Sequence, residues 1–212
     1  MTSDARRISG WVLRAFKTRE VKAMLILYKS LVRSKLEYCC PIWDTPKISD
    51  IQKVEAVQRQ FTKRIDGMRD LSYWERLKKL NLYSMQRRRE RYSIIMVWKM
   101  ANGEAPNNIG MKFYDSGRLG IKAERPTSPT TTQVSVATKY HNSFGCRATR
   151  LWNTLPSDVN KAENLPTFKV LLGKWLARFP DRPPVVGYTR QNDNSVLDWV
   201  RIVSREGEVP RN

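Results

Sequence analysis

From Arg19 onward, apolar residues return every three or four positions, and most runs are closed by a glycine or a proline. Val21, Met24, Leu25, Tyr28, Leu31, Val32, Leu36 and Cys39 form one stripe, the spacing of a single helix face. Pro41 disfavours helical geometry in the residue before it, so this helix is expected to end near Cys40. Ile42 to Pro46 is then expected to be a turn with Trp43 tucked inward. Behind a Ser49 cap, Ile51, Val54, Val57, Gln58, Phe61 and Ile65 repeat the pattern until Asp66 and Gly67 stop it. Ser72 and Glu75 spell a capping box that opens a short helix with Leu77 and Leu80 inside. Ser84 caps a longer one, with Met85, Tyr92, Ile95, Met96 and Met100 on its apolar side and Asn102-Gly103 as its stop. A first helix, capped by Ser3 or Asp4, carries Ile8, Trp11, Val12, Ala15 and Phe16. Each stripe needs a partner surface, so residues 1–104 are expected to form a helical bundle.

After Gly103 the texture changes. Ala105 to Asn108 reads as a linker and Pro126 to Thr132 as a loop, with Leu119 to Ala123 and Gln133 to Thr138 expected as the strands of a small β-hairpin. Helix returns at Ser143 to Trp152 and from Pro166 to Arg178, the latter burying Phe168, Leu171, Leu172, Trp175 and Phe179. Pro180 to Pro184 breaks it. The expected architecture is mainly α: a bundle over 1–104, a small α+β module over 105–188, and a polar tail over 189–212 with one weak helical patch at Val196 to Val203.

The chain carries 39 Lys and Arg against 20 Asp and Glu, a net charge of +19. The first hundred residues hold 23 basic and 10 acidic residues, a net of +13. A field of this size attracts polyanions, of which nucleic acid is the commonest in a cell. The basic residues on the expected helices are the candidates for phosphate contact: Arg59, Lys63 and Arg64 opposite the Phe61 face, Lys78 and Lys79 on the short helix, and Arg87, Arg88, Arg89 and Arg91 on the Ser84 helix. These last four fan over the whole circumference at 3.6 residues per turn, so at least two are expected to face solvent. The competing reading turns Arg88 or Arg89 inward, to bridge helices through Glu90 or Glu75. Such a surface favours backbone over base contacts. The seven Trp and eight Tyr are expected to pack the core rather than stack on bases, because most of them fall on or beside the apolar stripes.

Other chemistry finds little to stand on. Asp66 and Asp70 flank a turn rather than forming the carboxylate cluster that two-metal phosphoryl transfer needs. Neither a phosphate-binding P-loop nor an H-E-x-x-H helix is present. Cys39, Cys40, Cys146 and the single His141 lack the paired spacing of a zinc site, so neither metal nor cofactor is expected, and the thiols are expected to be buried and reduced, as in an intracellular protein. No run of about 20 apolar residues suggests a membrane span, and the N-terminal residues do not read as a secretory leader.

Several strings carry a family resemblance. Leu27 to Asp44, LYKSLVRSKLEYCCPIWD, is similar to the L-Y-x-x-L-V-x-x-x-L-E-Y-x-x-x-x-W motif that follows the polymerase core in non-long-terminal-repeat (LINE-type, jockey-like) retrotransposon reverse transcriptases. Ile51 to Arg64 resembles the I-x-x-[LV]-E-x-[VI]-Q-R-x-[FA]-x-[KR] helix of that family, and Tyr73 to Leu82 its Y-x-E-R-L-x-x-L-x-L. Arg87 to Gly103 resembles R-R-x-R-x-D-L-x-x-x-Y-K-x-x-x-G, with Ser93 for the usual Asp and Trp98 for the usual Tyr. Further on, Ser143 to Pro156, Phe168-Lys169 and Pro180 to Tyr188 resemble the ends of such polyproteins. The resemblance runs in order from about Arg6 to Tyr188. It implies the thumb and C-terminal segment of an RNA-directed DNA polymerase, gripping a template–primer duplex through its phosphates. The family's fingers, palm and Asp-Asp motif have no counterpart here, so the resemblance transfers no catalytic residue.

Two expectations follow. In the first, the chain is a nucleic-acid-binding thumb fragment with no turnover of its own, acting in the nucleus or in a cytoplasmic ribonucleoprotein particle. In the second, it is a helical interaction module without nucleic-acid binding, docking on a palm and fingers domain or on a second copy. The apolar Ile8, Trp11, Val12 and Phe16 near residue one read as a surface left by a preceding domain. A complete enzyme is not expected, for want of clustered acids.

Overall fold

A computed structural model of the chain describes residues 2–43, 46–124, 140–186 and 194–206. It is mainly helical with one small antiparallel sheet, as the apolar periodicity requires. The chain divides into two units, Met1–Arg89 with Asp181–Asn194, and Glu90–Pro180 with Ser195–Asn212. The division falls inside a helix, between Arg89 and Glu90, and not at the Gly103 stop. The tail does not stand apart either: its helical patch belongs to the second unit.

The first unit contains α1 (Thr2–Ala15), α2 (Val21–Leu27), a π-helical stretch (Tyr28–Arg33), α3 (Ser34–Glu37), α4 (Cys40–Trp43), α5 (Ile48–Thr62), α6 (Tyr73–Lys79) and the start of α7 (Met85–Ala101). Met24, Tyr28, Val32 and Leu36 recur at intervals of four and are all fully buried. Phe61 on α5 meets the Tyr28 ring at a centroid distance of 5.1 Å. Ile51, Val54, Val57, Phe61 and Ile65 face inward as their spacing requires. The Ser72 capping box is complete, with Ser72 Oγ accepting from Glu75 N at 3.3 Å and Glu75 Oε2 accepting from Ser72 N at 2.7 Å.

Three local expectations fail in this unit. The helix ends at Glu37, and Cys39 adopts a positive φ of 50°; Pro41 then sits within the short helix α4 rather than in a turn, because a proline is tolerated in a first helical turn that has no amide to satisfy. Trp11 and Phe16 lie at the surface, 53% and 37% exposed, packed edge to face on each other while Ala5, Ser9 and Val12 take the inner face of α1. Cys39 is exposed, and only Cys40 and Cys146 are buried thiols.

The second unit continues α7 and adds β1 (Phe113–Asp115), β2 (Ile121–Ala123), α8 (Phe144–Asn153), α9 (Ser157–Asn160), α10 (Leu165–Leu176) and α11 (Val196–Glu206). Its core stacks Trp98 on Phe168 at 5.4 Å, with Trp152 tilted against the same ring at 6.1 Å. Within the expected Leu119 to Ala123 strand, β2 pairs with the upstream Phe113–Asp115, a strand that the spacing did not mark, with Phe113 opposite Ala123. Gln133 to Thr138 lies outside the described residues. Asn153 supplies the other edge of β2, its side-chain amide both accepting from and donating to the Ala123 backbone at 2.9 Å. Among the described residues, no helix is long and apolar enough to cross a membrane.

The capping box sets where α6 begins and hence which of its side chains point together. Ser72→Ala is expected to cost about 1 kcal/mol of unfolding free energy in a urea titration.

Candidate functional site

The ends of α5 and α6 form a basic groove of about 440 Å³ in the first unit. Arg59 and Lys63, four residues apart on α5, share one side of that helix. The chain then turns back through Gly67, whose φ of 69° suits a residue without a Cβ. The loop brings Arg69 and Leu71 to the groove, and the capped start of α6 adds Tyr73 and Arg76, three residues apart and so on one face. Val185, from the returning Asp181–Asn194 segment, completes the wall. None of the described lining residues is acidic.

Arg76 is the unusual member. It is only 3% exposed, its Nε is buried without a hydrogen-bond partner, and its Cζ lies 5.7 Å from the centroid of the Tyr73 ring. Burial pushes its guanidinium below the ordinary arginine value; the nearby Tyr73 opposes this and Arg59 adds to it. Among the described residues, no hydrogen bond or ion pair engages the side chains of Arg59, Lys63, Arg64, Arg69, Arg76, Lys78 or Lys79.

A buried polar layer holds Tyr73 in place. Its hydroxyl donates to Glu55 Oε2 at 2.6 Å and accepts from Gln58 Nε2 at 3.0 Å. Gln58 Nε2 also donates to the Tyr83 carbonyl at 3.1 Å, while its Oε1 accepts from Tyr28 Oη at 2.5 Å. The second oxygen of Glu55 accepts from Gln86 N at 2.8 Å. Burial raises the Glu55 carboxyl from its ordinary 4.5 to about 7, against the pull of the Tyr73 and Gln86 hydrogen bonds. The negative Asp181 adds to the rise and Arg89 reduces it.

The structure splits the nine basic residues singled out in the sequence. Arg59 and Lys63 line the groove, and Arg64, Lys78 and Lys79 are exposed on the same α5-to-α6 stretch. Lys79 Nζ comes within 4.0 Å of where a Cβ on Gly67 would stand, so it flanks the turn between the helices.

The α7 arginines do not fan into solvent. Arg87 and Arg89 are buried at 0% and 1% exposure, and Arg88 and Arg91 are half-buried. Arg87 Nη2 donates to the Asn194 carbonyl at 3.2 Å, and Arg89 Nε to Met85 O at 3.3 Å, with its Cζ 5.5 Å from the Trp43 ring centroid. Arg88 clamps Glu37 with both Nε and Nη2, so it turns inward and reaches an acid on α3. Arg91 Nη2, in the second unit, donates to Lys169 O at 3.1 Å. The expectation of at least two solvent-facing members is thus corrected. Helical geometry does spread the four around α7, but this helix is enclosed on more than its apolar side.

Sequence reasoning missed Arg69 and Arg76. Arg69 sits in a connecting loop, where no periodicity marks a face. Arg76 lies one residue before Leu77, and only the i, i+3 relation to Tyr73 hints at its direction. Among the described residues, no group of three or more His, Cys, Asp or Glu is placed to hold a metal ion.

Two outcomes are expected. The folded state binds the Glu55 proton more tightly than the unfolded chain, so the contribution of Glu55 to stability is fully present below pH 4.5 and is lost as pH rises through about 7. In melts across pH 4 to 8, Glu55→Gln should remove most of that slope, worth about 3 kcal/mol over the whole range. Arg88→Gln removes the clamp on a half-buried Glu37 and leaves it Arg33 Nε at 3.6 Å as an ion-pair partner, so it should lower unfolding free energy by roughly 1–3 kcal/mol in denaturant titration. No family model, curated protein or solved structure matches this chain, so a reading of the groove rests on its own chemistry.

Proposed function

We propose that the chain binds double-stranded nucleic acid through its phosphate backbone, as a thumb-like and C-terminal fragment of a retrotransposon RNA-directed DNA polymerase without turnover of its own. The observation that carries this reading is the set of seven Lys and Arg side chains between Arg59 and Lys79 with which, among the described residues, no carboxylate forms an ion pair. Like charges held this close repel one another, and a polyanion relieves that repulsion. The ordered sequence resemblance supports the same partner, a template–primer duplex in the nucleus or in a cytoplasmic ribonucleoprotein particle. Surface lysines and arginines without a base-reading element favour contact with little sequence preference.

A second reading has one observation of its own. Tyr38 and Ile42, at the α3–α4 corner, are 75% and 84% exposed. Large apolar side chains this bare favour a docking face for a palm and fingers domain or for a second copy. Light scattering on the isolated chain separates the two: a monomer that binds duplex supports the first, and a dimer that ignores duplex supports the second.

Duplex affinity, followed by fluorescence anisotropy, is expected to fall steeply with salt, by about 0.9 in log–log slope for each neutralised phosphate. Replacing Lys63, Arg64, Lys78 and Lys79 with Gln should reduce that slope by about one per lost contact. The melting temperature should stay level, because these side chains are exposed and bonded to nothing. An affinity independent of salt would overturn the proposal. No primer extension is expected from the purified chain with magnesium and nucleotides.

A further inference from the structure

Arg76 is costly to keep. A buried guanidinium gives up its hydration, and the protein returns only the face of the Tyr73 ring. Its Nε is buried without an acceptor, and the neighbouring cations on the groove wall, Arg59, Lys63 and Arg69, repel it. On α7 the buried Arg87 and Arg89 each have a carbonyl within hydrogen-bonding distance, whereas among the described residues the Arg76 side chain on α6 has none. A cation left in this state inside a groove has room for an anion that the chain itself does not supply.

The geometry points to a seat for an organic phosphomonoester the size of a mononucleotide, its dianionic phosphate bonded by Arg76 and ringed by Arg59, Lys63 and Arg69. This deepens the proposed function, since it rests on the reading that the α5-to-α6 stretch engages phosphate. Charge selects the head group. A carboxylate would offset one of four positive charges, whereas a phosphomonoester offsets two and presents three acceptor oxygens to planar guanidinium forks. Size selects the rest. About 440 Å³ falls in the range of small-molecule pockets and exceeds the needs of a bare phosphate. Leu71 and Val185 give the remaining volume an apolar wall. The ligand is either a free nucleotide or the phosphorylated 5′ end of a strand, and the chemistry at Arg76 is the same for both.

The test uses the full chain, with adenosine 5′-monophosphate, adenosine and inorganic phosphate as calorimetric titrants, and a short duplex with either 5′-phosphate or 5′-hydroxyl ends. The monophosphate should bind at least about tenfold more tightly than inorganic phosphate, adenosine should not bind, and Arg76→Gln should weaken the monophosphate by about tenfold or more. Because Arg76 is buried, Arg69→Gln serves as the second variant: it is exposed, should leave the melting temperature unchanged, and should weaken the monophosphate several-fold. Tighter binding of the 5′-phosphate duplex, lost in Arg76→Gln, assigns the seat to strand ends. Equal binding of both duplexes with the monophosphate still bound assigns it to free nucleotide. Duplex binding with no monophosphate binding overturns the seat and leaves the backbone reading intact. Monophosphate binding without duplex binding does the reverse. A monophosphate affinity that neither variant alters overturns the seat.

Discussion

One buried carboxyl holds the first unit together. Glu55 takes a hydrogen bond from Tyr73 of α6 and another from the backbone of Gln86 in α7. One turn along α5, Gln58 joins Tyr28 of the π-helical stretch, the Tyr73 hydroxyl and the Tyr83 carbonyl. Apolar contacts alone would let these helices slide by fractions of a turn, because dispersion is not directional. Hydrogen bonds with buried partners permit no such slide, since each broken bond leaves a polar group unsatisfied at about 1–3 kcal/mol. The groove depends on this layer, because Tyr73 is both its inner anchor and the ring on which Arg76 lies.

The layer also explains a helix that looks wrong in sequence. Three consecutive arginines near the start of α7 stand at the positive end of its dipole, where acids are preferred. The acids come from elsewhere in the chain. Asp181 accepts from Ser84 N at 2.7 Å and Glu55 from Gln86 N at 2.8 Å, while Ser84 Oγ accepts from Arg87 N at 3.0 Å. Three of the amides that a helix start leaves open are satisfied this way. Two of the acceptors are carboxyl oxygens from distant parts of the chain.

Those long-range partners mark where the sequence stops being legible. Helix spacing placed the stripes on α5, α6 and α10, and the Ser72 box, because those relations span three or four residues and depend only on helical geometry. Glu55 sits beside Val54 on the same face, and nothing nearby says that its partner lies on α6 and α7. Arg88 finds Glu37 fifty-one residues away. The strand β1 was not legible because three residues show almost no alternation, and β2 also bonds the side chain of Asn153 on α8. The basic groove was half legible: Arg59 and Lys63 follow from the α5 face, but Arg76 enters only once the Ser72 cap fixes the rotation of α6.

A charge of +19 is therefore not one population of side chains. Arg87, Arg88 and Arg89 are consumed by the fold, bonded to carbonyls, a carboxylate and an aromatic face, and their charge helps hold the unit together. The cations on α5 and α6 are differently placed. Arg59 and Lys63 stand at the end of α5, and Arg76, Lys78 and Lys79 at the end of α6. The helix dipole favours positive charge at those ends by about 0.3–1 kcal/mol each where it is exposed. For exposed Lys63, Lys78 and Lys79 the dipole offsets part of the repulsion among neighbours, so the fold tolerates them without a carboxylate. Buried Arg76 gains the same dipole term, but it is too small to offset a desolvation cost of several kcal/mol. Tolerance therefore accounts for the outer ring of cations, and Arg76, on the groove wall with its Nε buried and unpartnered, is the cation that the dipole does not account for.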